Sequence, residues 1–485
     1  MPKLLTKSKY MNGLESYNLL WRAVNDPGSL PEHDASTLAR FDTGKEIERY
    51  AHALYPDGKD LSSLDFKTNI ENTSELMEKR KTVFEAGFLN GRCYVRSDVI
   101  VPVGDSRYDI IEIKSGASAK QEHSHDLSFQ KHVLESCGYD VRKCFVLHIN
   151  NKYVKHGDIN PEELLKLTDV TDEVSTASAG IEGRIKDMLE VIDRSECPPL
   201  TIDDMLTLNH STFLEDEFLN EVPEDNIFNL YNLNKEKKVE LWKKGYRLIS
   251  EVPDEELNKR QLIQKQCAVI GKEHIDAEGL KAFISSLEFP IYHLDFETMN
   301  PAIPLIDGTR PYQQIPFQYS LHIEHEDGST EHKEFLHEGL SDPRPAFAER
   351  LINDIGTSGT ILAYNDSFER RVLNEIMKSY DGYSEALAPI VSRFKDLAKP
   401  FRDFLFHERR QCGSNSIKDV LPIFAEDMYA GLEVANGDDA SSTFIALVRG
   451  EIDDPERARK ALLEYCKQDT YSMIILLKRL REMAS

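Results

Sequence analysis

The segment IYHLDFETMN, residues 291–300, is an apolar run with the character of a buried strand, and it carries two acidic side chains. Asp295 and Glu297 are two positions apart, so both project from the same face of a strand. Burial of a carboxylate is costly unless a positive group lies against it. The segment therefore predicts a core strand whose acids meet an arginine, a lysine or a metal ion.

The length of the chain, 485 residues, exceeds what one ordinary hydrophobic core supports, so we expect two or three domains. Residues 1–200 have the pattern of a small α/β domain, residues 201–280 that of an acidic, mostly helical connector, and residues 281–485 that of a second α/β domain. The predicted fold class is therefore α/β in both halves.

Each half has a distinct order of predicted elements. In the first half, residues 1–60 are mostly helical in pattern. Residues 92–116 alternate around a Gly-Asp turn and predict a β-hairpin. A helix that ends at Gly138 and another strand are predicted to follow. In the second half, a strand and a strand pair precede alternating helices and strands and a helix over about 456–482. This second order is typical of an RNase H-like sheet.

Composition restricts the class of protein further. The net charge of −25 argues against a protein that coats nucleic acid, because such proteins are usually basic, but a nuclease gains local positive charge from its metal ions. The seven cysteines are scattered without a C-x-x-C pair, which favours reduced thiols over disulfides or a zinc site. No apolar run approaches the roughly 18 residues of a membrane span, and no signal core opens the chain, so we expect a cytoplasmic protein with no membrane partner.

The hairpin of the first half carries one candidate site. Glu112 and Lys114 share a strand face, Asp98 lies on the partner strand, and Gln130 falls on the inward face of the following helix. Two carboxylates and an amine at one end of a sheet suit metal-assisted hydrolysis. The plain alternative is an exposed E-x-K charge pair between strands.

The second half carries another candidate site. Asp295 and Glu297 share a strand face, Glu369 falls in the first turn of a helix after a strand, and Tyr465 and Asp469 are four residues apart on the last helix. Four acids and a phenol could hold two divalent ions and position a water molecule. Each fragment alone could be a strand end or a helix cap, but their combination favours a metal site.

The segments SDVIVPVG, IIEIKSG and LSFQKHVLESCG resemble the PD-(D/E)XK nucleases of the RecB-like branch, which have a restriction-endonuclease-like fold. The resemblance implies that Asp98 and Glu112 bind metal, that Lys114 is catalytic and that Gln130 fills the glutamine motif.

The same resemblance implies one more acid, from the first helices of the domain. Glu46 and Glu85 are candidates, and we favour Glu85 as a catalytic residue. Many relatives also hold an iron–sulfur cluster with one early and three late cysteines. Ser16 stands at the early place here and Cys197 is alone at the late one, which argues against a cluster.

The segments HLDFET, AYNDSFE and YCKQD resemble the three motifs of DnaQ-like, DEDD-type 3′–5′ exonucleases of the tyrosine-bearing subclass. The resemblance implies that Asp295, Glu297, Glu369 and Asp469 bind metal and that Tyr465 is catalytic. Glu369 departs from the usual Asp. Nearly the whole chain resembles an uncharacterised bacterial family that joins both halves. The resemblance includes the segments PYQQIPFQYSLHI and GSNSIKDVLPIF, for which packing of the sheet and of a helix is the plain interpretation.

Together these patterns imply a metal-dependent nuclease that hydrolyses single- or double-stranded DNA, or RNA, with Mg²⁺ or Mn²⁺. The C-terminal half would be the 3′–5′ exonuclease and the N-terminal half a second nuclease site, in DNA repair or antiviral defence. The alternative is a catalytically degenerate scaffold that binds nucleic acid or protein. The sequence leaves open the oligomeric state and the partners. The basic side chains that could line a phosphate groove are Arg402, Arg409, Arg410 and Lys418.

Overall fold

The computed structural model describes residues 3–32, 35–209, 211–220, 222–425 and 428–485. The chain divides into two compact units. Unit 1 comprises Met1–Phe218 and Pro301–Tyr312, and unit 2 comprises Leu219–Asn300 and Gln313–Ser485. Both units combine helices with β-sheet, so the α/β class expected from the sequence is confirmed.

Unit 1 is built on one mixed sheet. Its strands are β1 (Leu5–Thr6), β2 (Lys59–Asp60), β3 (Val83–Asn90), β4 (Cys93–Val103), β5 (Arg107–Lys114), β6 (Asp140–Ile149) and β7 (Leu165–Asp169). The order is β2-β3-β4-β5-β6-β7, and β1 pairs in parallel with β4. Strands β4 and β5 form the expected antiparallel hairpin, and β6 runs parallel to β5.

Helices cover both faces of this sheet. They are α1 (Lys7–Glu15), α2 (Tyr17–Asn25), α3 (Ala35–Ala53), α4 (Phe66–Glu78), α5 (Gln121–Ser136), α6 (Pro161–Leu164), α7 (Thr171–Ala177), α8 (Ile181–Ile192), α9 (Asp204–Thr207) and α10 (Thr212–Leu219), whose last residue is the first of unit 2. Because strand side chains alternate, Ile110 joins the core under α5 while its neighbour Ile111 joins the core with Ile47 of α3.

Unit 2 contains a second mixed sheet and a small strand pair. Its strands are β8 (His274–Ile275), β9 (Ile291–Met299), β10 (Ile315–Glu324), β11 (Thr330–Leu336), β12 (Thr360–Ala363), β13 (Phe394–Asp396) and β14 (Phe406–His407). The five-stranded sheet has the order β11-β10-β9-β12-β13. Strand β10 is antiparallel to β9 and β11, so the expected strand and strand pair form a meander, whereas β12 is parallel to β9 and β13.

Unit 2 also contains several helices. They are α11 (Lys235–Lys243), α12 (Lys259–Ile270), α13 (Ala277–Ser285), α14 (Pro343–Asp354), α15 (Ser367–Ser379), α16 (Ser384–Ser392), α17 (Lys399–Arg402), α18 (Ile417–Val420), α19 (Gly437–Arg449) and α20 (Pro455–Ala484). On β9, Tyr292, Leu294 and Phe296 join the core with α14 and α15. The acids Asp295 and Glu297 alternate with them and therefore belong to the opposite face, where α20 packs against β9.

Sequence patterns did not predict several two-residue strands or the longer strand β3. Residues 1–60 were expected to be mostly helical, yet they include β1 and β2, and the connector of residues 201–280, also expected to be mostly helical, includes β8. A strand of two residues shows no alternation, so its pairing comes entirely from tertiary context. Within the part of the chain described here, no helix is both long and apolar enough to cross a membrane.

Candidate active sites

Strand β9 presents two acids on the sheet face that packs against α20. Glu297 is buried and Asp295 is partly exposed. Across the antiparallel ladder, Asp295 lies opposite Ser320 and Glu297 lies opposite Gln318. Two carboxylates on one buried sheet face match the expectation from the strand period.

Helix α20 brings a phenol, a thiol and a third acid to the same face. Pro455 opens the helix and Asp454 caps it by accepting a hydrogen bond from the Arg457 backbone amide. Tyr465 and Asp469 are one turn apart, and both are buried. The Cys466 Sγ lies 3.8 Å from Asp295 Oδ2, which ties the helix to β9.

The fourth acid comes from the start of α15. Glu369 lies in the first turn of the helix and only 2% of it is exposed. Among the described residues, its Oε2 has no hydrogen-bond partner. Asp295 and Glu297 both interact electrostatically with Glu369. A buried carboxylate oxygen without a donor is rare enough to need an explanation, and an ion is one.

A cavity of about 520 Å³ in unit 2 opens onto this cluster. Asp295, Glu297, Tyr465 and Asp469 line it together with Lys418. The Lys418 Nζ lies 5.9 Å from the centre of the Tyr465 ring and donates a hydrogen bond to the Ala435 carbonyl oxygen. Helix α19 begins at the same cavity, since its first residue, Gly437, lines it. A Cβ at Gly437 would lie 3.6 Å from Glu297 Oε2.

The four acids of this cluster have too little positive charge around them to keep their ordinary pKa values. Burial and repulsion from Asp469 raise the pKa values of Asp295 and Glu297 well above the ordinary range. Burial raises the pKa of Glu369 to about 8 and that of Asp469 to about 6. Lys418 opposes the shift at Glu297 and at Asp469, but the pKa of each remains raised. Acids that repel one another in this way are stabilised in their ionised form by a bound cation.

The donor set fits a divalent metal ion. Ligand atoms of Asp295, Glu297 and Cys466 all lie within 4.8 Å of one another. Carboxylate oxygens are the ligands that Mg²⁺ and Mn²⁺ prefer. In the part of the chain that the structure describes, Glu369 Oε2 has no hydrogen-bond partner, and the pKa of Glu369 is raised. Both observations indicate that the site lacks a positive charge that a metal ion would supply.

Unit 1 brings together the residues expected at its hairpin. The Lys114 Nζ lies 2.7 Å from Glu112 Oε1, and Gln130 donates from Nε2 to Glu112 Oε2 over 2.7 Å. Asp126, one helical turn before Gln130, accepts from Gln130 and from Lys114 over 2.9 and 3.1 Å. Asp98 accepts a hydrogen bond at Oδ2 from the Ile113 backbone amide.

A lysine from α1 completes this second cluster. The Lys7 Nζ lies 2.8 Å from Glu112 Oε1 and 3.2 Å from Asp98 Oδ1. Burial opposes ionisation of Glu112, but Lys114 and Lys7 outweigh it and hold the pKa of Glu112 below its ordinary value. Burial and the charge of Glu112 raise the pKa of Asp98 to about 7. The position that a metal ion would take between Asp98 and Glu112 therefore lies next to an ammonium group, and the residues do not fit a metal centre.

The additional acid of unit 1 is placed differently from the expectation. Glu85 lies on β3 and not on a helix, with a left-handed φ of 56°, and its carboxylate lies 3.2 Å from the Arg96 guanidinium. Glu46 is on α3, 3.9 Å from Arg49. The acid of α3 that interacts with Asp98 is Glu48, whose pKa burial and Asp98 raise.

Besides Glu48, four residues of these clusters were missed by sequence reasoning. Asp126 precedes Gln130 by one helical turn, so the helical period could have indicated it. Cys466 follows Tyr465 directly but was interpreted only as a scattered thiol. Lys7 and Tyr429 carry no pattern in the sequence, because tertiary contacts alone bring them to the acids.

The fold and the larger cluster define unit 2 as an α/β unit with buried acids around a cavity. Residues 292–416 match the family described as a domain of unknown function, DUF2779. This stretch includes Asp295, Glu297 and Glu369 but ends before Tyr465 and Asp469.

Two curated proteins of Mycoplasma are similar to part of the chain. The uncharacterised MG366 homolog of Mycoplasma pneumoniae is 27% identical over 206 residues, which are 38% of this chain and 31% of that protein. The uncharacterised protein MG366 of Mycoplasma genitalium is 24% identical over 212 residues, 39% of this chain and 32% of that protein. The chain thus spans about a third of the length of these relatives.

Proposed function

We propose that unit 2 is an RNase H-like, DEDD-type exonuclease that hydrolyses DNA from the 3′ end with Mg²⁺ or Mn²⁺. The observation that carries the proposal is the convergence of Asp295, Glu297 and Asp469 on one cavity, with the partnerless carboxylate of Glu369 interacting electrostatically with two of them. Such a group of acids is stable in its ionised form when cations compensate it.

Four carboxylates would hold the ions, namely Asp295, Glu297, Glu369 and Asp469. Bound divalent ions would supply an activated water molecule and neutralise the charge that develops on the leaving oxygen. Cys466, next to Asp295, adds a softer donor to a set of oxygens. This thiol gives the proposed site affinity for thiophilic ions as well.

The protein's own groups would orient the substrate. Burial and Asp469 raise the pKa of Tyr465, so its phenol keeps its proton and can donate a hydrogen bond to an attacking water molecule. Lys418 lies at the cavity wall and supplies a cation for a phosphate group. The cavity volume of about 520 Å³ is in the range of sites that bind small molecules, which is enough for one terminal nucleotide.

For unit 1 the proposal is a PD-(D/E)XK fold of the RecB-like branch. The β4–β5 hairpin, α5 and the parallel strand β6 support this fold, and Asp98, Glu112, Lys114 and Gln130 converge on its sheet. A metal-dependent hydrolytic site at these residues stays a prediction, and it requires that Lys7 leave its position between Asp98 and Glu112. A cytoplasmic role in DNA repair or antiviral defence accords with the pairing of two nuclease folds.

The test is nucleotide release from end-labelled oligonucleotides in Mn²⁺. On single-stranded DNA labelled at the 5′ end, the wild-type chain should give a ladder that shortens from the 3′ end. Asp295→Asn should abolish the ladder, whereas Asp98→Asn should leave it unchanged. The control is Glu464→Gln, on the exposed side of α20 next to Tyr465.

The outcomes distinguish the alternatives. A duplex and an RNA of the same sequence, run alongside, assign the strand and sugar preference. Cleavage lost in Asp98→Asn and kept in Asp295→Asn would contradict the assignment to unit 2. Tight nucleic-acid binding without cleavage in any divalent metal would favour the scaffold.

A further inference from the structure

We infer that Lys7 is the resident cation of the acid cluster of unit 1, in the place that a PD-(D/E)XK nuclease would give to a divalent metal ion. Unit 1 then binds no divalent ion at Asp98 and Glu112 as long as Lys7 is present. The inference concerns unit 1 alone and does not depend on the proposed function of unit 2.

The carboxylates of this cluster are saturated with hydrogen-bond donors. Both oxygens of Asp98 accept hydrogen bonds, from Lys7 and from the Ile113 amide. Both oxygens of Glu112 accept as well, one from Lys7 and Lys114 and the other from Gln130. The two oxygens of Asp126 accept from Lys114 and Gln130. Every carboxylate oxygen of Asp98, Glu112 and Asp126 is therefore held by a donor of unit 1.

Space and charge also exclude a metal ion from this position. A divalent ion binds carboxylate oxygens at about 2.0–2.6 Å, and the Lys7 ammonium already lies 2.8 and 3.2 Å from one oxygen of each acid. A metal ion between the same oxygens would be in contact with this ammonium. Like charges at such a distance repel strongly in a buried site, so the ion and Lys7 exclude each other.

The backbone around Lys7 is anchored in the fold of unit 1. Strand β1 pairs with β4 through Leu5 and Thr6, and Leu5 is fully buried. Thr6 caps α1 by accepting a hydrogen bond from the Lys9 amide, which makes Lys7 the first residue of the helix. One turn later, Tyr10 stacks on Phe129 of α5 at 4.6 Å. Lys7 is thus held at the cluster by a paired strand, a cap and a core residue.

Unit 2 provides the contrast. There Glu369 Oε2 has no donor among the described residues, and Asp295 Oδ2 contacts the thiol of Cys466. The same chain therefore contains one acid cluster whose oxygens are all held by internal donors and one whose charge is left for an external cation.

Mn²⁺ binding to the full chain tests the inference. Asp295→Asn/Asp469→Asn removes two of the four proposed unit 2 ligands and so disrupts that site, and in this background electron paramagnetic resonance should find no bound Mn²⁺ at millimolar metal. Adding Lys7→Met should create one Mn²⁺ site, which Asp98→Asn should then remove. Lys9→Met is the matched control, because its ammonium donates to the Leu4 carbonyl oxygen and lies outside the cluster.

The background chain also supplies a test that leaves Lys7 intact. If this chain binds Mn²⁺ and Asp98→Asn abolishes the binding, the inference is wrong, whatever the fold of the Lys7 variant. A Lys7→Met chain that folds and binds no Mn²⁺ would also overturn it. If Lys7→Met lowers the melting temperature, Mn²⁺ should raise it again but leave that of the background chain unchanged, and equal shifts would contradict the inference. Failure of the unit 2 proposal appears separately, as a wild-type chain with no Mn²⁺ site.

Discussion

The phenol of Tyr429 donates a hydrogen bond of 2.7 Å to Asp469 Oδ1. Tyr465 lowers the pKa of this carboxylate as well, so the two phenols oppose the rise that burial gives to the pKa of Asp469. Asp469 is thereby oriented before any ligand arrives. A carboxylate that is already oriented binds a metal ion more tightly than one that must first be ordered.

The first prediction concerns this support. Tyr429→Phe should weaken Mn²⁺ binding by about 10–100-fold, the usual effect of removing an outer hydrogen bond to a metal ligand. Calorimetric titration of the full chain with Mn²⁺ measures it. Tyr471→Phe, at an exposed position of α20, is the control and should leave the affinity unchanged. Equal Mn²⁺ affinities for both variants would show that Tyr429 does not support metal binding by Asp469.

The second prediction separates Tyr465 from the metal ligands. Tyr465→Phe should lower kcat for nucleotide release by about 100-fold, because a positioned hydrogen-bond donor to the water is lost. The KM and the Mn²⁺ affinity should change little. Steady-state kinetics on single-stranded DNA test this, and loss of Mn²⁺ binding in the variant would show instead that Tyr465 supports the ligands.

The third prediction concerns Lys418. Lys418→Met should raise KM by about 10-fold or more, because a charge-assisted hydrogen bond to phosphate contributes about 1.5–3 kcal/mol. The dependence of KM on salt should become shallower in the variant. Lys478→Met, at an exposed position on α20, is the matched control. A KM equal to that of the wild-type chain would place the phosphate elsewhere.

The fourth prediction is acid destabilisation through the buried histidines of the sheet. Burial, with His332, His293 and Lys467 nearby, lowers the pKa of His322 to about 3. Its Nδ1 lies 2.8 Å from the Thr470 hydroxyl. Because the unfolded pKa is about 6.5, the stabilisation by neutral His322 is complete above that pH and is lost as the pH falls toward 3.

The expected loss from His322 is about 2 kcal/mol between pH 7 and pH 5. Urea unfolding at the two pH values measures it. His322→Gln should reduce the difference, whereas His325→Gln, on a partly exposed side chain at the end of the same strand region, should not. Identical pH dependence in all three chains would refute the prediction.

The strand and helix periods predicted much of the unit 2 cluster. Alternation on β9 placed Asp295 and Glu297 on one face, and a spacing of four placed Tyr465 beside Asp469 on α20. The same rules brought Glu112, Lys114 and Gln130 together in unit 1. Local periodicity succeeds wherever the partners share one element or adjacent elements.

The remaining residues depend on contacts that no local pattern encodes. Lys7 reaches Glu112 because β1, two residues long, pairs with β4, and so short a strand shows no alternation. Tyr429 reaches Asp469 from outside the named helices and strands. Glu85 was expected among the first helices but lies on β3, a strand that the sequence reasoning did not predict.

The central claim is that the acids of unit 2 gather divalent cations, and anomalous diffraction from crystals soaked in Mn²⁺ tests it most directly. The account predicts two peaks about 4 Å apart, bounded by Asp295, Glu297, Glu369 and Asp469, and none between Asp98 and Glu112 of unit 1. Soaked crystals without a peak at the unit 2 acids, or with the strongest peak beside Lys7, would contradict it.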